Sequence, residues 1–254
     1  MKVLIGGSGS LGKYFFDYIS KDKNIYSDLI SLRNCGFSIF KNKFNKLKNS
    51  DIFIDTMDPK EINDNFDIDL NNKAQTFRKY ALENSNQIHY IYISTSNLYK
   101  PCIDEINETS KIDLDDSPYL EMKFKSEKLV EKLCKSNFSI LRIVNIWDKD
   151  QRNSFFGDLL EAQINKNYIY PRDNDELVIS FSNILDISKI IRFVILNQLF
   201  GIINISTGEF NSRQNLKSLV NGELIIPISE NLGYRVSSNV IDWDKIIDKK
   251  TDLF

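Results

Sequence analysis

Two groups suited to acid–base chemistry, a phenol and an ammonium, stand four positions apart in the segment Tyr119-Leu-Glu-Met-Lys123. This spacing places both side chains on one face of a helix. Ser117 and Pro118 come directly before them, and these residue types are typical of a helix N-cap and first turn. Because a neighbouring positive charge favours the phenolate form, such a tyrosine could pass a proton to or from a substrate oxygen.

A second candidate group is a hydroxyl at the end of an apolar strand. The run Tyr90-Ile-Tyr-Ile93 is followed by Ser94, Thr95 and Ser96. Ligands of open parallel sheets bind at the carboxyl ends of the strands, so Thr95 could hydrogen-bond the reacting oxygen of a substrate. The structural alternative is a turn or cap hydroxyl, since Ser and Thr commonly end strands.

A glycine-rich turn near the N-terminus indicates where a dinucleotide could bind. Four of the ten glycines occur in Gly6-Gly-Ser-Gly9-Ser-Leu-Gly12, between the apolar run Val3-Leu-Ile5 and a segment with apolar residues at helical spacing. A turn without side chains lets backbone N–H groups and a positive helix N-terminus face a pyrophosphate. The candidate cofactor-binding residues of this turn are Gly6, Gly9, Ser10, Leu11 and Gly12.

An ordinary tight turn is the structural alternative for these glycines. The glycine turn, the hydroxyl strand end and the Tyr-Lys helix follow one another along the chain in the order that a dinucleotide-dependent site needs. This order favours the functional interpretation of all three motifs.

Strand-like and helical segments alternate in the first part of the chain. The strand-like runs are Val3–Ile5, Leu29–Leu32, Phe37–Phe40, Ile52–Ile54, Tyr90–Ile93 and Ser139–Val144, and the longest helical patterns are Leu70–Asn84 and Tyr119–Cys134. This alternation predicts an α/β fold with a doubly wound parallel sheet, a Rossmann fold, in a dinucleotide-binding domain at residues 1–150. Residues 151–254 are expected to form a small C-terminal substrate-capping region, from which strand and helix segments could return to the main domain.

The composition argues against several classes of protein. A formal net charge of -2 with 27% charged residues gives no basic field for a nucleic acid partner. His89 is the only histidine, which argues against a zinc site and a Ser-His-Asp hydrolase, so no metal is expected. Three scattered cysteines without a CxxC pair indicate a reducing compartment. Without a leader-like N-terminus or an apolar run of membrane-spanning length, we expect no membrane partner and a cytoplasmic location.

These motifs resemble those of the extended short-chain dehydrogenase/reductase superfamily, which includes the NAD-dependent epimerase/dehydratase family. The resemblance runs through Gly6-x-x-Gly9-x-x-Gly12, Ser94-Thr-Ser-Asn-Leu-Tyr99, Leu141-Arg-Ile-Val-Asn-Ile-Trp147, Ser180–Ile187 and Gly201–Gly208. The last two segments are similar to strands of that family's capping domain. The resemblance implies the Rossmann fold, a nucleotide-sugar substrate and a homodimer.

The resemblance also implies roles for individual residues. Thr95, Tyr119 and Lys123 match the catalytic hydroxyl, tyrosine and lysine of the family, and Tyr119 and Lys123 also contact the cofactor. Asn71 matches an asparagine that supports the active site beside the cofactor. The residues implied in substrate binding are Thr95, Ser96 and Asn145.

Arg33 bears on the choice of cofactor. It follows Gly12 by about twenty residues, at the end of the second strand, where members that prefer NAD have an acidic residue. A guanidinium suits the 2′-phosphate of NADP by its charge and its fork geometry. NADP(H) is therefore favoured, with NAD(H) as the alternative.

The motifs together predict an NAD(P)-dependent oxidoreductase that acts on a nucleotide-activated sugar and reduces a keto-sugar with NADPH. One alternative is an NAD-dependent nucleotide-sugar 4-epimerase, and another, from a different class, is a non-catalytic cofactor-binding regulatory subunit. A 4,6-dehydratase is disfavoured, because Ser96-Asn97 replaces the Asp-Glu pair that eliminates water in that class.

Overall fold

A computed structural model of the protein describes residues 1–32, 37–58, 68–84, 87–114, 117–148, 155–170, 174–223 and 231–241. The chain forms two compact units that interleave along the sequence. Unit 1 comprises Met1–Thr95, Leu114–Arg142 and Ile191–Ile203, and unit 2 comprises Ser96–Asp113, Ile143–Ile190 and Asn204–Phe254. Each unit is described separately below.

The secondary structure follows the alternation that the sequence predicts. The strands are β1 Lys2–Gly6, β2 Tyr26–Ile30, β3 Ile52–Asp55, β4 His89–Thr95, β5 Phe138–Ile143, β6 Asn145–Trp147, β7 Val178–Asn183, β8 Gly201–Ile205, β9 Glu209–Ser212 and β10 Gly233–Tyr234. The helices are α1 Ser10–Ile19, α2 Phe37–Lys48, α3 Ile68–Asn84, α4 Pro118–Cys134, α5 Phe155–Asn165, α6 Ile184–Asn197 and α7 Arg213–Asn221. Within the described residues, no helix combines the length and the apolar character needed to cross a membrane.

The expected doubly wound sheet is confirmed. In the part of the chain that the structure describes, six strands form one sheet in the order β2-β1-β3-β4-β5-β8. β1 pairs in parallel with β2 and β3, and β3 pairs in parallel with β4. The strand order reverses between β1 and β3, and in sheets of this kind ligands bind in the crevice at the carboxyl ends of the strands around that point.

The central strands are apolar on both faces because helices cover both sides of a parallel sheet. β3 and β4 are buried at every residue. One core cluster of unit 1 packs α2, α3 and α4 against the sheet through Phe44, Leu47, Phe53, Phe77, Tyr90, Val130 and Ile140. This packing fixes α4 against β4, and these two elements carry the candidate catalytic residues.

The start of α4 agrees with the sequence prediction in detail. Ser117 is the N-cap, its side chain accepts a hydrogen bond from the Leu120 N–H at 3.4 Å, and Pro118 occupies the first turn. A backbone N–H in the first turn has no hydrogen-bond partner within the helix. Proline, which lacks this N–H, is therefore favoured at this position. Tyr119 therefore enters the helix at a defined point, one turn before Lys123.

One sequence prediction about the fold is wrong. The run Phe37–Phe40 was expected to be a strand, but it begins helix α2. Its apolar residues continue to Phe44 and Leu47 at helical spacing, and a window of four residues is too short to distinguish the two periods. In the segment Gly201–Gly208, which resembles a capping-domain strand, β8 lies at the edge of the six-stranded sheet beside β5, in line with the alternative that strands of this region return to the main domain.

Unit 2 has its own sheet and core. β10 and β6 pair in parallel with β7, and β9 pairs with β7 in the antiparallel direction. Its larger apolar cluster consists of Trp147, Phe156, Leu159, Ile179, Phe181 and Leu216. These residues come from β6, α5, β7 and α7, so this core packs helices against the smaller sheet.

His89 is a buried polar residue at the first position of β4. Its Nε2 lies 2.7 Å from the Ser139 hydroxyl, and its ring packs against Phe200 with centroids 4.7 Å apart. Within the described residues, Nδ1 has no hydrogen-bond partner. Burial lowers the pKa of His89 from 6.5 to about 4. The imidazole is therefore neutral in the folded protein at physiological pH.

We predict that the folded protein loses stability as the pH falls from about 6.5 to about 4 because of His89. The unfolded chain takes up the proton first, so the free energy of unfolding falls across this interval by about 3 kcal/mol from this residue. Since the chain has one histidine, proton NMR of the imidazole reports its titration directly, and urea unfolding of wild type and His89→Gln isolates its contribution. An imidazole midpoint near 6.5 in the folded protein would contradict the prediction.

Candidate active site

The glycine turn joins β1 to α1 at very short range. Gly7 has a φ of 111°, in the region that favours glycine. A Cβ placed on Gly12 would lie 1.9 Å from the Gly7 carbonyl oxygen, so only glycine fits there without a shift of backbone. Thr56, just after β3, holds the turn from the other side, because its N–H and its hydroxyl each donate to the Gly6 carbonyl at 2.8 Å.

Gly9 differs from its neighbours because it faces open space. A Cβ on this residue would meet no described atom within 4 Å. Gly9 is the N-cap of α1, and within the described residues no side chain caps the helix at this end. The exposed Gly9 and Ser10 thus present backbone at a positive helix end, which suits a phosphate group. This arrangement fits the pyrophosphate of a dinucleotide.

The Tyr-Lys pair lies on α4, and the lysine reaches the strand that carries the candidate hydroxyl. Lys123 Nζ donates to the Ile93 carbonyl at 2.8 Å and lies 5.8 Å from the centroid of the Tyr119 ring. Thr95, two residues beyond Ile93, is buried at the end of β4. Tyr119, Lys123 and Thr95 all belong to unit 1.

A buried group of charges beside Lys123 was not anticipated from the sequence. Asp58 Oδ2 lies 3.0 Å from Lys123 Nζ, and Asp58 Oδ1 accepts a hydrogen bond of 2.7 Å from Arg78. Arg78 also binds Asp55 through Nε at 2.6 Å and the Ser126 hydroxyl through Nη1 at 2.9 Å. The sequence contained a signal for this group, because Asp55 and Asp58 follow the apolar run Ile52–Ile54 directly and at a distance of four residues.

Charge pairing and burial act in opposite directions on these groups. Burial alone would raise the pKa of Asp58, but the positive charges of Arg78 and Lys123 outweigh it and hold that pKa well below its usual value. Burial acts against the charge of Lys123, and Asp58 more than offsets this, so the pKa of Lys123 is raised. Both residues are therefore ionised at neutral pH, as an ion pair.

Besides His89 Nδ1, three buried polar atoms have no hydrogen-bond partner among the described residues. They are Asn71 Oδ1 on α3, Ser94 Oγ on β4 and Trp147 Nε1 at the end of β6. Unsatisfied buried groups are rare in folded proteins and call for an explanation such as a bound ligand. Asn71 and Ser94 lie in unit 1 with the glycine turn and the Tyr-Lys pair, and they agree with a cofactor bound to that unit.

Of the candidate substrate residues, Thr95 lies in unit 1, and Ser96 and Asn145 lie in unit 2. Ser96 is buried, and the Asn145 side-chain amide donates to the Ser180 carbonyl at 3.0 Å, so part of its hydrogen-bonding capacity serves to join β6 to β7. Trp147, with its unsatisfied indole N–H, is two residues further along β6. Arg33 lies outside the described residues, and among those that are described no group of three or more His, Cys, Asp or Glu side chains could hold a metal ion.

Gly12 and Gly9 provide a matched pair for testing the turn. Gly12→Ala is expected to lower the free energy of unfolding by about 1–3 kcal/mol, because the new Cβ forces the backbone of the turn apart. Gly9→Ser is expected to change it by less than about 0.5 kcal/mol, because the site is open and serine is a good N-cap. Urea unfolding of both variants checks this, and equal losses would contradict the described turn.

Known proteins match this chain in structure and not in sequence, since neither a protein-family model nor a curated relative matches it. A dTDP-4-dehydrorhamnose reductase from Yersinia enterocolitica matches with a TM-score of 0.72 and 19% identity, over 94% of this chain and 90% of its own. A UDP-glucuronic acid 4-epimerase from Bacillus cereus, in complex with NAD, matches with a TM-score of 0.72 and 17% identity, over 100% of this chain and 93% of its own. TunA, an NAD-dependent NDP-hexosamine 5,6-dehydratase involved in tunicamycin biosynthesis, matches with a TM-score of 0.75 and 14% identity, over 93% of this chain and 89% of its own.

These neighbours agree with the resemblance that the sequence motifs carry. The match covers nearly the full length of each neighbour, so it includes both units of this chain. The protein shares its overall fold with this dTDP-4-dehydrorhamnose reductase and this UDP-glucuronic acid 4-epimerase.

Proposed function

We propose that the protein is an NAD(P)-dependent oxidoreductase that acts on a nucleotide-activated sugar through Thr95, Tyr119 and Lys123. The observation that carries this proposal is the position of Lys123, whose charged Nζ lies beside the Tyr119 ring and is hydrogen-bonded to the strand that ends in Thr95. Solved structures with this fold include a dTDP-4-dehydrorhamnose reductase and a UDP-glucuronic acid 4-epimerase, which supports the class of substrate.

The chain's own residues fit a nicotinamide dinucleotide. The backbone of Gly6, Gly9, Ser10, Leu11 and Gly12 would hold its pyrophosphate, and Asn71, Tyr119 and Lys123 would contact the part of the cofactor next to the substrate. The cofactor, when bound, supplies hydride transfer to or from a sugar carbon. The open face at Gly9 and the unsatisfied Asn71 Oδ1 are the features that support this assignment.

In the reductive direction, Tyr119 gives its hydroxyl proton to the carbonyl oxygen of a keto-sugar as that oxygen gains negative charge. Lys123 assists because its positive charge favours the phenolate that remains on Tyr119. The Thr95 hydroxyl donates a hydrogen bond to the same substrate oxygen and fixes its position. The roles of Ser96 and Asn145 in substrate binding stay predictions from the sequence.

We favour the reduction of a keto-sugar with NADPH over 4-epimerisation. A reductase needs an exchangeable reduced cofactor together with the three catalytic residues, and Arg33 suits the 2′-phosphate of NADPH. A 4-epimerase would use the same three residues but would keep NAD bound through a full cycle. This second function is supported by the fold match to the NAD-bound UDP-glucuronic acid 4-epimerase.

The cofactor that purifies with the protein distinguishes these functions. The freshly purified protein is denatured, and any dinucleotide it releases is identified by mass spectrometry. We expect an empty site that then binds NADPH more tightly than NADH. Stoichiometric NAD would identify the epimerase cycle, and failure to bind either dinucleotide would favour a non-catalytic role.

Tyr119→Phe tests the proton transfer. The variant is expected to lose at least about a hundredfold in kcat while it keeps the dinucleotide affinity of the wild type, because only the ionisable hydroxyl is removed. Tyr26→Phe is the matched control, since Tyr26 is exposed at the first residue of β2 and should leave kcat unchanged. Steady-state kinetics with a keto-sugar nucleotide and fluorescence titration of the cofactor supply the two measurements. Unchanged turnover of Tyr119→Phe would rule out this mechanism.

Arg33→Ala tests the cofactor preference. Loss of a charged hydrogen bond to the 2′-phosphate should weaken NADPH binding by about tenfold or more and leave NADH binding unchanged. Calorimetric titration of both cofactors against wild type and variant gives the four affinities. An equal effect on the two cofactors would show that Arg33 does not read the 2′-phosphate.

A further inference from the structure

Four ionisable side chains of unit 1 form a buried cluster with no net charge. They are Asp55, Asp58, Arg78 and Lys123, and their side chains are between 0% and 8% exposed. Removing an isolated charge from water is costly, so a buried ion needs a partner of opposite charge and a full set of hydrogen bonds. The way in which the four charges are paired therefore determines which of them can stay ionised.

Asp58 joins the two cations of the cluster. One of its oxygens accepts from Arg78 Nη2, and the other lies 3.0 Å from Lys123 Nζ and also accepts from the Tyr92 hydroxyl at 2.5 Å. Among the described residues, Lys123 Nζ has one further acceptor, the uncharged carbonyl of Ile93. Without the carboxylate of Asp58, the ammonium would face the guanidinium of Arg78 with no negative charge in contact.

The other carboxylates near Lys123 are bound to other partners. Asp55 accepts from Arg78 Nε and from the Tyr90 hydroxyl, both at 2.6 Å. Glu127, one turn after Lys123 on α4, binds Arg142 through both oxygens at 3.0 and 2.7 Å. Among the described residues, Asp58 is the carboxylate within ion-pair distance of Lys123.

Two phenols face Lys123, and the one on the sheet, Tyr92, supplies no negative charge. Tyr92 on β4 presents its ring 5.2 Å from Nζ, and Tyr119 on α4 presents its ring at 5.8 Å. Burial, followed by the adjacent carboxylate of Asp58, raises the pKa of Tyr92 well above its ordinary value, so this phenol stays neutral. Asp58 therefore makes the largest contribution to keeping Lys123 ionised, and Tyr119 makes a smaller one.

We propose that Asp58 is a positioning residue of the active site, whose carboxylate fixes Lys123 Nζ beside Tyr119 and supplies the negative charge that keeps this buried ammonium protonated. The catalytic consequence rests on the proposed function, because a neutral Lys123 no longer favours the phenolate of Tyr119. The charge state of Lys123 itself does not rest on it and can be measured without cofactor or substrate.

The first experiment measures the protonation of Lys123 by competitive acetylation with acetic anhydride as a function of pH, followed by peptide mass spectrometry. Only the neutral amine reacts, so the midpoint of labelling reports the loss of the proton. The protein is used without cofactor, as wild type, Asp58→Asn and Asp58→Glu. Asp58→Glu is the matched control, because it keeps the charge at the same position.

In wild type, the midpoint of Lys123 is expected to lie at or above that of the exposed lysines of the same sample, despite its burial. Asp58→Asn should lower the midpoint by about one to three pH units, and Asp58→Glu should lower it by less. A wild-type midpoint below that of the exposed lysines would overturn the proposal even if neither variant folds. An unchanged midpoint in folded Asp58→Asn would overturn it as well.

The second experiment measures kcat against pH with the dinucleotide and a keto-sugar nucleotide. The alkaline limb of the Asp58→Asn profile should move to lower pH by the same amount as the labelling midpoint, whereas the limb of Asp58→Glu should move by less. A lower thermal stability with an unmoved limb would mean that Asp58 is only structural, and would overturn the positioning role. If wild type neither binds a dinucleotide nor turns over, the proposed function fails while the labelling result still decides the role of Asp58.

Discussion

The ammonium group of Lys123 is the constraint on which the architecture of unit 1 depends. Its contacts belong to three parts of the fold: the Ile93 carbonyl and the Tyr92 ring on β4, the Asp58 carboxylate after β3, and the Tyr119 ring on its own helix. All of them must be in place to keep a charge in a buried position. The pairing of β3 with β4 sets this arrangement, since Asp55 lies opposite Tyr92 in the sheet. A slip of one residue would turn these side chains to the other face.

The short segment from Asp55 to Asp58 connects the two halves of the candidate site. Thr56 holds the glycine turn through two hydrogen bonds to Gly6, while Asp58 holds Lys123. The strand β3 ends where the strand order of the sheet reverses, which brings its last residues next to the turn after β1. A displacement of this segment would therefore affect the proposed pyrophosphate position and the Tyr-Lys pair together.

The sequence could predict the features that local patterns determine. The alternation of strands and helices, the Ser117 cap of α4 and the glycine turn depend on residues close together in the chain, and all three are present in the structure. The run Phe37–Phe40 was misread because its period appears only when Phe44 and Leu47 are included. The pairing of Arg78 with Asp58 was missed for a different reason, since the two residues are separated by 20 positions and meet only when α3 packs against the sheet.

Stability alone does not explain why Lys123 belongs to a buried cluster of four charged side chains. When a buried ion cluster is replaced by apolar side chains of similar volume, the protein is often equally stable or more stable. Here the surrounding core is already rich in aromatic residues, as the contacts of Phe53 with Phe77 and Tyr90 show. What apolar residues could not supply is a negative charge next to Lys123. The cluster is thus better explained by the need to keep one buried lysine ionised than by its contribution to the core.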